Sequence, residues 1–114
     1  MKTPYILPII IILLSACTAT QIPTPVQADV DRVSSKFPDV SLTQLQQGKT
    51  IFESHCGQCH KLKNPATRTE EKLNKIVPKM FLRVARKEGK PLDKSDEQLI
   101  LQYLVTMSKK SGEK

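Results

Sequence analysis

The chain has 114 residues, carries 18 Lys or Arg against 11 Asp or Glu for a formal net charge of +7, and is only 4% aromatic with no Trp. One domain fits that length and a multidomain enzyme does not, since domains usually take roughly 100–200 residues; the shortage of large aromatic side chains leaves a small core without its usual heavy fillers. Three cysteines exclude a framework made only of paired disulfides, so one sulfur needs a role of its own.

At the N-terminus Lys2 precedes an almost wholly apolar run of ten residues, Tyr5 to Leu14. That is too short to span a bilayer, which takes about 20 residues, and it reads as the core of a signal peptide covering residues 1–16. The run ends in Leu14-Ser15-Ala16-Cys17, which resembles the lipobox of bacterial lipoproteins. The resemblance implies cleavage before Cys17, acylation of its sulfur, and a protein tethered at an extracytoplasmic bacterial membrane, on the periplasmic or outer cell-membrane face. An ordinary signal peptide cut at the same small residues would leave Cys17 a plain thiol. Residues 17–40 then hold Pro23, Pro25 and Pro38 among Thr, Gln, Ser and Asp without sustained apolar periodicity, and are expected to form an extended, flexible spacer. From Ser41 onward there are 15 basic and 8 acidic residues, so the whole +7 belongs to the part expected to fold together with its basic tail.

That part, residues 41–108 with a basic tail at 109–114, reads as three helices. Ser41 and Gln44 have capping-box spacing, and the helix they start should carry Leu42, Leu45, Lys49 and Phe52 on one side and run to about Ser54. Gly48 inside it costs about 1 kcal/mol relative to Ala, which points to another backbone passing close by or to a neutral surface glycine. A second helix begins near Thr69, with Glu70 and Glu71 in its positive first turn. Leu73, Ile76, Val77, Met80 and Val84 give it one apolar face, Pro78 is expected to kink or split it, and Gly89 and Pro91 mark its end. A third helix opens at Ser95, with Gln98 three residues on, and buries Ile100, Tyr103, Leu104 and Met107 before stopping near Ser108. No segment alternates with a strand's period of two, so the fold class is all-α. Domains under about 70–80 residues rarely get more than 3–5 kcal/mol from burial, so a staple or a cofactor is expected.

The first of these helices runs into Cys56-Gly57-Gln58-Cys59-His60. Two thiols three residues apart can add to the two vinyl groups of one haem while the next imidazole reaches the iron, which makes the spacing that of c-type haem attachment. Structural zinc needs four ligands, and with Cys17 otherwise engaged only His55 would be added to the motif. A thioredoxin-like motif belongs in a βαβ setting, and a lone disulfide here would close too small a loop to stabilise much.

With this motif in place the chain resembles the small monohaem class I cytochromes c. The likeness covers residues 41–108: Gly48-Lys49-x-Ile51-Phe52-Glu53 leading into the attachment motif, and Ser95-Asp96-Glu97-x-x-Ile100-x-x-Tyr103-Leu104 closing the domain. It implies a compact fold of three to four helices around one covalent haem c, with Cys56 and Cys59 as thioether positions, His60 on the iron, and a crossing of the first and last helices at Gly48, Phe52 and Tyr103. The Pro-Asn-Leu common after the family's haem-binding His is replaced by Pro65-Ala66.

For the sixth iron ligand the candidates are Met80, Met107, His55, a lysine or nothing. His55 abuts the attachment motif and reads as solvent-facing; Met107 lies on the apolar stripe of the last helix. Met80 sits on the apolar face of the middle helix, 20 residues beyond His60, where the family places its methionine; the competing reading is a gap-filling core residue. A His/Met pair raises the reduction potential and leaves no open position for a substrate, so the expected function is electron carriage and not enzymatic. A haem-based sensor, or an accessory cytochrome subunit of a larger oxidoreductase complex, is the alternative. Lys72, Lys75, Lys79, Arg83, Arg86 and Lys90 fall in one sector of the middle helix, roughly 120° from the apolar stripe. They are a solvated face, or they steer an acidic redox partner or anionic lipid toward the site. Export removes nucleic acid from consideration, and the protein is expected to act as a monomer or as a subunit of a respiratory complex.

Overall fold

A computed structural model of the chain describes residues 21–110; the expected signal peptide, Cys17 and positions 111–114 of the basic tail lie outside them. Four α-helices and one short 3₁₀ turn make up the regular structure, with no strand among the described residues: α1 (Gln27–Val33), α2 (Leu42–Cys56), the turn Pro65–Thr67, α3 (Glu70–Glu88) and α4 (Lys94–Thr106). The all-α expectation holds.

α2 starts where its cap puts it. The Ser41 hydroxyl accepts from the Gln44 N–H at 3.2 Å, and the Gln44 side-chain oxygen accepts from the Ser41 N–H at 2.9 Å. Leu45, Gly48 and Phe52 are its buried positions. Thr69 caps α3 by accepting from the Lys72 N–H, and Gly89 ends it at φ 79°, a left-handed conformation that costs glycine nothing, with its N–H on the Ala85 carbonyl at 2.9 Å. Pro78 does not split this helix, which runs unbroken for 19 residues.

The cap of α4 lies two residues before the expected one. Asp93 holds the cap position and its carbonyl accepts the Glu97 N–H, while Ser95 lies within the first turn. The cause is Leu92, whose burial in the core anchors the chain just ahead of the helix.

Residues 22–40 depart from the expected spacer. They contain α1, and Pro25 and Val40 are buried. The Asp29 carboxylate accepts from the Val26 N–H at 2.8 Å and pairs with Arg32 at 2.7 Å, closing the first turn of α1 from within.

The core gathers Phe52 from α2, Leu73, Val77 and Val84 from α3, Leu92, and Ile100, Tyr103 and Leu104 from α4. Its centre is the crossing of α2 and α4. A Cβ placed on Gly48 would lie 2.2 Å from the Leu99 carbonyl oxygen, so the missing side chain is what lets the two backbones meet. Beside this contact the rings of Phe52 and Tyr103 pack tilted, 5.9 Å between centroids, within the range of favourable aromatic pairs.

Candidate functional site

α2 and α4 cross on one side of the core, and α3 closes against them. Between α3, the end of α2 and the loop that follows lies a cavity of about 240 Å³. Its walls are mostly apolar and include Phe52, Leu62, Pro65, Leu73, Ile76, Val77, Phe81, Val84, Ile100 and Leu104. Cys56, Cys59, His60 and Met80 all line it. The chain thus brings together the four site residues singled out in the folded region, three from the attachment motif and one from α3.

Local geometry explains how each is presented. Cys56 ends α2 and is half-buried, whereas Cys59 and His60 follow in the exposed turn. Burial, with smaller contributions from the nearby Cys59 and Glu88, pushes the Cys56 thiol up to about 11, so it is protonated at neutral pH. The His60 ring places Nδ1 2.9 Å from the Lys61 carbonyl oxygen. A carbonyl can only accept, so Nδ1 carries the proton and Nε2 keeps the lone pair that a metal needs. The orienting acceptor is therefore the adjacent Lys61 backbone. Pro65 is buried in the cavity wall at the head of its 3₁₀ turn.

The whole apolar face of α3, Leu73, Ile76, Val77, Met80 and Val84, lines the cavity; Leu73, Val77 and Val84 are buried, whereas Ile76 and Met80 are half-buried. Met107 instead caps the C-terminal end of α4 and packs against the core cluster.

His55 differs from its expected solvent-facing position. It is half-buried, and its Nδ1 pairs with the Glu88 carboxylate. The same carboxylate oxygen accepts from the Gln58 side-chain amide at 2.7 Å. Glu88, near the end of α3, thus clamps both the last turn of α2 and the residue between the two cysteines. Its carboxyl is held below the ordinary range, chiefly by the bond from His55. Neither partner was visible in sequence, because 33 residues separate His55 from Glu88 and no local periodicity links them.

Three cations, Lys63, Arg68 and Arg83, stand among the lining residues. The outer side of α3 adds exposed Lys72, Lys75, Lys79 and Arg86, while Lys90, expected in the same helical sector, lies beyond the helix end at Gly89; of these Lys75 is paired with Glu71 at 2.7 Å. Among the described residues no three His, Cys, Asp or Glu side chains form a metal-holding cluster. Chemically, the site offers two thiols able to form thioethers, one imidazole nitrogen and one thioether sulfur inside an apolar enclosure. Nitrogen and soft sulfur donors of this kind suit a redox-active transition metal better than a hard, oxygen-seeking cation.

No family model, no curated protein and no solved structure matches the chain.

Proposed function

We propose that the chain is a membrane-anchored c-type cytochrome that carries single electrons between redox partners. The observation that carries the reading is the convergence of Cys56, Cys59, His60 and Met80 on one apolar cavity. Its residues fit a haem. Cys56 and Cys59 have the spacing for two thioether bonds, and His60 presents Nε2 because Nδ1 is engaged by the Lys61 carbonyl. Met80 supplies a soft sulfur from α3, the mostly apolar walls suit an apolar ring, and Lys63, Arg68 and Arg83 offer positive charge to the ring's two carboxylates.

When bound, the haem supplies a one-electron couple whose potential a His/Met pair raises. His60 and Met80 would be the protein's two ligands to the iron, a set that would leave no position for a substrate. The resemblance of the two flanking helices to class I cytochromes c supports the same assignment. Cys17 provides the lipid attachment, and the basic outer face of α3 favours approach of an acidic partner.

The test is covalent loading. Produced in a host that attaches c-type haem, the full-length chain should gain the mass of one haem that resists denaturation, and Cys56→Ala with Cys59→Ala should lose it. A wild-type chain recovered without covalent haem from such a host overturns the reading.

A further inference from the structure

The segment between the proposed lipid site and α2 is tied down along its length. Ile22 packs against the core cluster and Pro25 is fully buried. The Tyr103 hydroxyl donates to the Pro23 carbonyl at 2.7 Å, and the Lys49 ammonium donates to the Thr24 hydroxyl at 3.1 Å. Further on, the Arg32 guanidinium donates to the Thr106 carbonyl at 2.7 Å, Lys36 pairs with Glu70, and Val40 is buried beside the start of α2. These contacts reach α2, the start of α3 and the last turn of α4. Residues that bury an apolar anchor at each end and hydrogen-bond to distant elements between them do not behave as a solvated coil.

We infer that residues 22–40 are a docked strap that shortens the membrane leash and holds the domain against the bilayer surface, so that the partners within its reach are membrane-seated ones. The inference rests on the proposed acylation of Cys17. From Cys17 to Ser41 there are 24 residue steps, a maximum reach of about 86 Å at ~3.6 Å per residue, and a flexible chain of that length averages about 27 Å between its ends. With the strap docked from Ile22 only five steps remain, and the reach cannot exceed about 18 Å whatever path they take. A leash shorter than a domain's own width confines the protein to the headgroup layer and raises its effective concentration toward anything seated there, while a partner far out in the aqueous phase is beyond it.

Two measurements on the full-length, acylated protein test this. The first is hydrogen exchange in detergent micelles, which needs no bilayer. The amides of Lys36, Phe37 and Val40, bonded to the Val33, Val33 and Phe37 carbonyls, should exchange at least about a hundredfold slower than unstructured peptide. Exchange at unstructured rates overturns the strap. In a Tyr103→Phe, Arg32→Ala variant, which keeps the aromatic packing on Phe52, protection across 22–33 should fall by about fivefold to tenfold per bond removed. Unchanged protection overturns the role given to these contacts. The second measurement is neutron reflectometry on a supported phosphatidylcholine bilayer. The protein layer should begin within about 18 Å of the headgroups, whereas a mean hydrated gap near 27 Å, the flexible-tether value, overturns the inference. Failure to attach at all removes the lipid reading and the inference with it, and is told apart from a loose strap by the exchange data.

Discussion

Gly48→Ala sets two opposing effects against each other. Alanine is favoured over glycine inside a helix by about 1 kcal/mol, so on an open surface the substitution would stabilise α2. Here the added Cβ would lie 2.2 Å from the Leu99 carbonyl oxygen and 2.9 Å from both the Leu99 carbonyl carbon and the Tyr103 Cβ, where real Cβ atoms essentially never come within 3.0 Å. Relief requires the two helices to part by about 0.8 Å, the shortfall to that limit. Two of these atoms belong to the α4 backbone and the third is a Cβ fixed to it, so no rotamer change relieves the contact. A gap of that size removes a quarter to a half of the dispersion energy of each affected atom pair, and Leu45, Phe52, Ile100 and Tyr103 all pack at or beside the crossing. Overpacked cores lose about 1–3 kcal/mol; with the steric demand at the upper end and the propensity gain subtracted, the net loss is about 1–2 kcal/mol. For a domain of this size each kcal/mol lowers the melting temperature by roughly 4–8 °C. Thermal unfolding followed by far-ultraviolet circular dichroism measures it, with Gln47→Ala, exposed on the same helix, as a control expected to shift stability by no more than about 0.5 kcal/mol. A Gly48→Ala protein that melts at or above the wild-type temperature refutes the close crossing.

Further outcomes follow from other contacts. The Thr106 hydroxyl is buried with no hydrogen-bond partner among the described residues, so Thr106→Val, equal in shape, should raise stability by about 1 kcal/mol in chemical denaturation; a loss of that size would mean the hydroxyl is satisfied. Glu88 has a carboxyl pKa lowered in the folded protein from its ordinary 4.5. Its contribution to stability is therefore complete above that ordinary value, declines as pH falls below it, and is gone once pH passes the lowered folded value. Unfolding curves of wild type and Glu88→Gln should accordingly converge on acidification, and a difference that persists or widens at low pH would contradict the clamp. Oxidation of the reduced protein by ferricyanide, an anion, should slow as ionic strength rises, and Lys79→Glu with Arg86→Glu should slow it at low salt and flatten the salt dependence. Rates indifferent to salt would show that the α3 face is only a solvated one.

The elements legible in sequence were those with local signals. Ser41 and Gln44 marked the start of α2, Thr69 and Gly89 bracketed α3, and the i, i+3, i+4 recurrence of Ile100, Tyr103 and Leu104 identified the buried face of α4. Gly48 could be read as a close approach or as a neutral surface glycine, and its contact with the Leu99 backbone decides for the first. What stayed hidden depends on contacts remote in sequence. α1 has seven residues and no buried position of its own; it is held by Arg32 on the Thr106 carbonyl and, through the segments on either side of it, by Tyr103, Lys49 and Glu70, which lie 25 to 80 residues from their partners. Ser95 looked like a cap because its spacing to Gln98 is right, but burial of Leu92 decided the start. At the site, adjacency alone identified Cys56, Cys59 and His60. Met80 was separated from Met107 only by the structure, in which Met80 lines the cavity beside the attachment motif and Met107 ends α4 against the core cluster. The Glu88 clamp on His55 and Gln58 had no signature at all.

The central claim is that a haem is held by Cys56 and Cys59 and ligated by His60 and Met80. Optical spectra of the purified full-length protein, oxidised and reduced, with Met80→Ala alongside, test it most directly. The account predicts the sharp reduced bands of a low-spin c-type haem in the wild type, a thioether-to-iron charge-transfer band when oxidised, and loss of that band in Met80→Ala with attachment retained. Absence of haem bands from wild-type protein matured under haem-attaching conditions would contradict the whole account, and an unchanged charge-transfer band in Met80→Ala would contradict the ligand assignment.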